Sequence, residues 1–445
     1  MQKFFLTASM LSIFFLFVAC GKNQYMDGSL TTGLSTDRTV YFSVVSKDTK
    51  LPYLARIPTE QHVILATMQP ISESLNAIDV TEGKGMVLHI VEPLGTKTLP
   101  HEVARLDRIA ILATSVDEVR NGGLLKIASS PDFMYLGLVP FSERKPYRPQ
   151  AEETPELRDI INSLPTNHVG SADPVDAVFL TTKLAELSGE KTVKIDGVET
   201  RIKERGYGSG RALAQKYLVQ EYAALGYKAE AKPYSRVFID TVDSGFNIVA
   251  EKKGLDPSKY LMITAHFDNV GNAGADDNGS GTVSLLGIAK ALQDITPKVN
   301  IRFVSFDQEE SGLIGSESYA LQLKEAGDID QLIGVINLDM TGYDKGNEGA
   351  VSLSDCNENT SSALTKLVTD SIKRYNYPLK INNSCSSASD HSSFWDYDKP
   401  AIMVIEDLKR LNPCYHSSCD KTDIVDFGFL TSIANSVARM IIDNF

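Results

Sequence analysis

From about residue 175 to its end the chain alternates short, nearly continuous apolar runs with longer segments of helical spacing. The runs are Tyr260–Ala265, Asn300–Phe306, Gly334–Asp339 and Ala401–Ile405. The helix-patterned stretches are Arg211–Leu225, closed by Gly226, and segments near 280–294, 314–326, 360–375 and 428–443. Apolar runs without polar alternation are what strands buried on both faces require. Strands alternating with helices predict an α/β fold, a mixed and largely parallel sheet sandwiched by helices over residues 175–445. Ligands and reacting groups in such sheets gather at the carboxyl ends of the strands.

Residues 38–142 have another texture. Thr39–Val45, His62–Met68, Met86–Val91, Arg108–Thr114 and Met134–Val139 are short, rich in Val, Ile and aromatics, and bounded by Gly, Pro or Ser. They predict a small, mostly β accessory domain. His62, His89 and His101 are scattered through it without clustered partners and read as structural. Residues 143–174, in and after SERKPYRPQAEETPE, read as a linker. A chain of 445 residues suits two domains arranged in this way.

The first nineteen residues begin with a short positive segment and continue as an uncharged Phe- and Leu-rich run, the layout of a signal peptide. The run ends Leu16-Phe17-Val18-Ala19-Cys20-Gly21, which resembles a bacterial lipobox with Phe17 in place of the usual Leu. Cys20 is therefore expected to carry a lipid. Residues 20–37 read as a flexible tether, and the protein as exported and anchored to a bacterial membrane by that lipid alone. Cys356, Cys385, Cys414 and Cys419 remain, an even set suited to an oxidising compartment. Of the three pairings open to them, proximity favours Cys414 with Cys419, leaving Cys356 with Cys385. A net charge of −13 argues against a nucleic-acid partner, since phosphates need a basic patch.

The candidate chemistry lies at the strand ends. His266 and Asp268 follow the first run, Asp307-Gln308-Glu309-Glu310 the second, and Asp339 closes the third. Asp277, in GADDNGSG, precedes a helix, and His416, in NPCYHSSCD, follows the last run. Two imidazoles and three carboxylates form a ligand set for a borderline-soft dication such as zinc, and exceed what one tetrahedral site with an open position needs. They fit two zinc ions sharing a carboxylate and a water. Of the adjacent pair Glu309-Glu310, one is then a ligand and the other a base. Asp268 is placed to accept the second N–H of His266.

The ordered motifs AHFD, GADDNGSG, DQEESGLIGS, NLDM and NPCYHSSCD closely resemble the co-catalytic zinc aminopeptidases, the M28-type exopeptidases. The resemblance covers about residues 175–445. It implies a peptide substrate, with His266 and Asp339 on one zinc ion, Glu310 and His416 on the other, Asp277 bridging them and Glu309 as base; Asp276 is the second choice for the bridge. It also implies that Tyr415 donates to the oxyanion, and it supports a Cys414–Cys419 bridge, since some members carry two cysteines around that histidine. His391 reads as a structural residue near the site. The rival readings are a glutaminyl cyclase, a carboxypeptidase of the same fold, and a module that has lost catalysis. Against the last, all five ligands and the base are present.

Overall fold

The protein is described here by a computed structural model covering residues 38–83, 86–119, 127, 130–138, 173–238, 241–358 and 361–445. The expected signal segment, Cys20, the tether and nearly all of the linker lie outside the described residues.

The N-terminal region contains β1 (Arg38–Ser46), β2 (Ala55–Pro58), β3 (His62–Thr67), β4 (Asn76–Glu82), β5 (Met86–Pro93), β6 (Glu102–Leu106), β7 (Ile109–Ser115) and β8 (Phe133–Leu138). They form two antiparallel four-stranded sheets, ordered β2-β3-β1-β4 and β6-β7-β5-β8. Val40, Phe42 and Val44 of one sheet meet Leu88, Ile90, Ile109 and Ile111 of the other in a shared core. Two sheets packed on their apolar faces make a small β-sandwich.

The remainder runs α1 (Ala177–Leu187), β9 (Val193–Ile195), β10 (Val198–Thr200), α2 (Gly208–Ala224), β11 (Ala229–Phe238), β12 (Thr241–Lys252), β13 (Asp256–His266), α3 (Gly281–Ala291) and β14 (Val299–Phe306). It continues with α4 (Ile314–Ala326), β15 (Leu332–Leu338), β16 (Ala350–Ser354), α5 (Ser362–Tyr375), β17 (Lys380–Ser384), α6 (Ser392–Trp395), β18 (Ala401–Glu406) and α7 (Phe427–Asn444). Strands β11 to β18 build one sheet in the order β11-β12-β14-β13-β15-β18-β16-β17. Its centre, β14-β13-β15-β18, is parallel, while β11-β12, β12-β14 and β16-β18 pair antiparallel. The mixed, largely parallel sheet expected from the sequence is therefore present.

Strand alternation distributes the apolar side chains to both faces. Leu261, Ile263 and Ala265 of β13, with Ile301 and Phe303 of β14, join the core formed with α1, α2, α3, α5 and α7. Tyr260, Met262, Val304 and Phe306 point the other way, onto Tyr319 of α4 and Phe394 and Trp395 of α6. Helices thus cover both faces and hold the parallel centre rigid, with its carboxyl ends opening along one edge.

The sandwich is docked against this unit through the segments that follow β16 and β17. Arg56 makes a two-pronged, buried ion pair with Glu358, at 3.1 Å on each oxygen. Arg108 donates to the carbonyl of Cys385 and Lys47 to that of Cys356. Those two cysteines are joined in a disulfide.

Candidate active site

His266 is the last residue of β13, Asp307–Glu310 follow β14, Asp339 follows β15, and His416 lies in the loop after β18. One pleated sheet edge therefore collects residues far apart in sequence. Asp277 is brought in by the segment leading into α3, where the Asp277–Asn278 peptide bond is cis. That segment is fastened to the end of β15 by Asn278, whose side chain donates to Leu338 O and accepts from the amides of Gly281 and Met340. A Cβ on Gly281 would lie 2.3 Å from both Asn278 Oδ1 and Leu338 O, so this contact needs glycine.

The five expected ligands converge in two overlapping groups. His266 Nε2 lies 3.6 Å from Asp277 Oδ1 and 3.4 Å from Asp339 Oδ1. His416 Nε2 lies 3.1 Å from Asp277 Oδ2 and 2.9 Å from Glu310 Oε2. Asp277 thus turns one oxygen to each group. Asp276, the second choice for this role, is turned away: its carboxylate takes Gly342 N and Asn412 Nδ2. Glu309 Oε2 stands 4.0 Å from His266 Nε2, at the border of the first group. Ligand atoms of His266, Glu309 and Asp339, and likewise of His266, Asp277 and Glu310, lie within 4.8 Å of one another.

The donor set fits a dication. Asp277 Oδ2 and Glu310 Oε1 are buried without a hydrogen-bond partner, although His416 Nε2 is close to the aspartate. Both residues, with His266, offer ligand atoms within 4.8 Å of one another. The charges tell the same story. Burial favours a neutral His416 ring, yet Glu310 and Asp277 overcome this and push its pKa up to about 10. Burial, then Asp277, pushes Glu310 up to about 7 against the pull of His416. For His266 burial again opposes protonation, and Asp339 and Glu309 outweigh it, raising the ring well above its ordinary value. So many buried carboxylates draw in protons where a metal ion would supply the missing positive charge.

Supporting contacts fix the orientation of each group. Asp268 faces His266 Nδ1 at 3.4 Å, too long for a strong bond, and makes firmer contacts elsewhere: its two oxygens accept the amides of Glu309 and Glu310 at 3.1 and 3.2 Å. It therefore orders the turn that carries Glu309 and Glu310 as well as facing the histidine. Tyr415 stacks on His416, with ring centroids 3.7 Å apart. Burial, reinforced by Asp277 and Glu310, raises its pKa well above the usual phenol value, so its hydroxyl remains a donor. The loop that carries both is closed by a Cys414–Cys419 disulfide. His391 lies outside the two groups, its Nε2 3.0 Å from Ser386 O and its ring against Trp395.

Several contributors were not singled out from the sequence. Ser389 donates to Asp339, and Asp420 accepts the amides of Asp276 and Asp277, one on each oxygen. The fully buried Arg205 donates to the carbonyls of Phe267, Leu187, Ala273 and Gly274, tying together the loops that carry His266 and Asp277. A buried arginine amid GYGSGR-like polar sequence has no signal that separates it from a surface one. Arg302, by contrast, pairs with Glu251 over the Tyr260 ring and does not reach the site.

The sequence profile of Peptidase family M28 matches residues 247–441, a span holding every residue of both groups. Leucine aminopeptidase 1 of Trichophyton equinum is 30% identical over 292 residues, covering 61% of this chain and 76% of that protein. The chain belongs to peptidase family M28. Among solved structures, the Legionella pneumophila aminopeptidase LapA matches with a TM-score of 0.57 and 18% identity, over 80% of this chain and 98% of that one. Porphyromonas gingivalis glutaminyl cyclase matches with a TM-score of 0.52 and 20% identity, over 60% of this chain and 98% of that one. At such identities the last two establish the shared fold, and the site decides between activities. For this M28 member the fold and the zinc-dependent peptidase class follow from the family.

Proposed function

We propose that this chain is an aminopeptidase that removes N-terminal residues from peptides, with two zinc ions held by His266, Asp277, Glu310, Asp339 and His416. The observation that carries the two-ion reading is Asp277, which directs one carboxylate oxygen to the His266–Asp339 group and the other to the His416–Glu310 group. When bound, the zinc ions supply Lewis acidity, lowering the pKa of a water and stabilising an oxyanion. Glu309 lines the cavity beside both groups and is the base that takes the water's proton, then returns it to the leaving amine. Burial holds its pKa well above the ordinary carboxylate value, with Glu310, Asp390 and Asp339 adding to the rise and His266 opposing it. The Tyr415 hydroxyl donates to the oxygen that becomes negative.

The pocket supports a free α-amine in preference to a C-terminal carboxylate. Its described lining holds Glu309 and Glu310 and neither lysine nor arginine. A substrate ammonium is attracted there, while a carboxylate meets like charge without a partner. The test compares two dipeptides identical except for N-acetylation and identifies the released amino acid. Release of the first residue from the free form alone fits, and release of the last residue from the acetylated form reverses the orientation. Metal analysis accompanies it: full activity with about one tightly held zinc ion defeats the two-ion reading and favours cyclase-like metal use.

The same chain is read as an exported lipoprotein carrying its lipid on Cys20. The lipobox-like LFVACG supports this, and no helix among the described residues is long and apolar enough to cross a membrane. Cys20→Ser expressed in a bacterium is expected to lose labelling by a palmitate analogue and to leave the membrane fraction. Equal membrane association of the two forms defeats the reading.

A further inference from the structure

The cavity beside the base is not lined by the M28 domain alone. Glu309, Glu310, Ala388, Tyr415 and His416 form one side, and Met134 and Tyr135 of the N-terminal sandwich form the other. We propose that the Ser130–Tyr135 stretch is a built-in wall of the substrate pocket, with Met134 setting the size of the side chain accepted next to the cleaved bond. This rests on the peptidase reading above and adds a specificity element from outside the matched domain.

Four contacts show that the wall is fitted to the site. Ser130 O lies 3.2 Å from His416 Nδ1, where it accepts the ring N–H and leaves Nε2 facing Asp277 and Glu310. A carbonyl at the far nitrogen of a ligating histidine fixes its tautomer and ring plane. Tyr135 packs against Gly312, two residues after Glu310. A Cβ there would come within 3.0 Å of the Tyr135 ring, and the glycine has a φ of +96°. Tyr135 is itself braced from behind, its hydroxyl 3.0 Å from His89 Nδ1, while His89 Nε2 lies 2.7 Å from Thr114 Oγ1. Finally, β8 carries an extra residue opposite β5: Tyr135 pairs with Val91 but Gly137 with Ile90, leaving Leu136 unpaired. Such a bulge re-aims neighbouring side chains.

The Ser130–Tyr135 stretch approaches His416 from its Nδ1 side, away from the Nε2 that faces Asp277 and Glu310. Met134, nearly buried, faces the cavity with an adaptable thioether, the kind of side chain that shapes an apolar pocket. His89, which the sequence leaves without partners, is the post on which this wall stands.

The test uses the whole protein and two variants, Met134→Ala and Met134→Trp, with melting temperature and zinc content as controls. Each is assayed on amino-acid p-nitroanilides with Ala, Leu and Phe, and on N-acetylated dipeptides ending in the same residues. Which series is cleaved tests the orientation of the substrate; the preference within the cleaved series tests the wall. Met134→Ala is expected to raise kcat/KM for Phe relative to Ala by about tenfold or more, and Met134→Trp to shift the ratio the opposite way. A common rise for all substrates identifies a plug and overturns the proposal. An unchanged ratio in both variants, whatever the overall rate, overturns it as well.

Discussion

Ser389 donates its hydroxyl to Asp339 Oδ2 at 2.6 Å, and the other oxygen of Asp339 faces His266 Nε2 at 3.4 Å. The serine therefore decides which oxygen of the aspartate is left for a metal ion. Removing it frees the carboxylate to rotate without touching any ligand atom.

Ser389→Ala is accordingly expected to weaken zinc affinity by about 10–100-fold, the usual effect of losing a group that orients a ligand. Competition titration against a chelator measures this. An affinity equal to that of the unaltered protein shows that packing alone orients Asp339.

Glu309 and Glu310 are adjacent, yet their replacement should have different consequences. Glu309→Gln is expected to cut turnover by ~10²–10⁴-fold with zinc content unchanged, the signature of a lost general base. Glu310→Gln should release one zinc ion, since its carboxylate faces His416 and Asp277. Metal analysis beside single-substrate kinetics separates the two, and near-normal turnover in Glu309→Gln refutes its role.

Arg205 predicts a stability effect coupled to the site. Arg205→Met takes a donor from four carbonyls, of which only Gly274 O keeps another, the amide of Gly279, and each buried carbonyl left unpaired costs about 1–3 kcal/mol when no water replaces it. A loss on the order of 3 kcal/mol or more is expected from denaturant unfolding, together with weaker zinc binding. Its four acceptors lie on the loops carrying His266 and Asp277 and at the end of α1. A variant as stable as its parent shows that solvent reaches those carbonyls.

The N-terminal sandwich should become less stable in mild acid. Burial, with a small contribution from His101, holds the His89 pKa down to about 3, against 6.5 for a free ring. The unfolded chain takes up a proton below about pH 6.5 that the folded chain refuses, so stability falls as the pH drops through that window. Between neutrality and pH 5 the loss is about 2 kcal/mol. Melting curves at several pH values measure it, and His89→Gln should flatten the dependence. An identical slope in that variant assigns the acid sensitivity elsewhere.

What the sequence disclosed and what it hid follow from the range of each interaction. The doubly buried strands announced themselves as unbroken apolar runs, and the helix expected at 314–326 has those bounds in the structure. The long hairpin of β11 and β12 was missed because sequences such as AEAKPYSRVF alternate charge and polarity and sit at the sheet edge. β17, KINNS, is equally polar. The ligands were legible because each motif places a distinctive residue at a strand end. Ser389 was not, being one serine among several in SCSSASD. His89 gave no signal because its partners stand 25 and 46 residues away. Ser130 acts through a backbone carbonyl, which every residue possesses, so no side-chain pattern could mark it.

The bridge between Cys414 and Cys419 also bears on metal choice. As free thiolates, two cysteines placed two and three residues from His416 would be softer and stronger zinc donors than the carboxylates around Asp277. The loop would then offer the incoming ion a rival nest made of sulfur and imidazole, drawing His416 away from Asp277 and Glu310. Joining the sulfurs withdraws both competitors and leaves His416 to the oxygen-rich centre. Oxidation of this short loop thus keeps His416 for the centre it shares with Asp277 and Glu310.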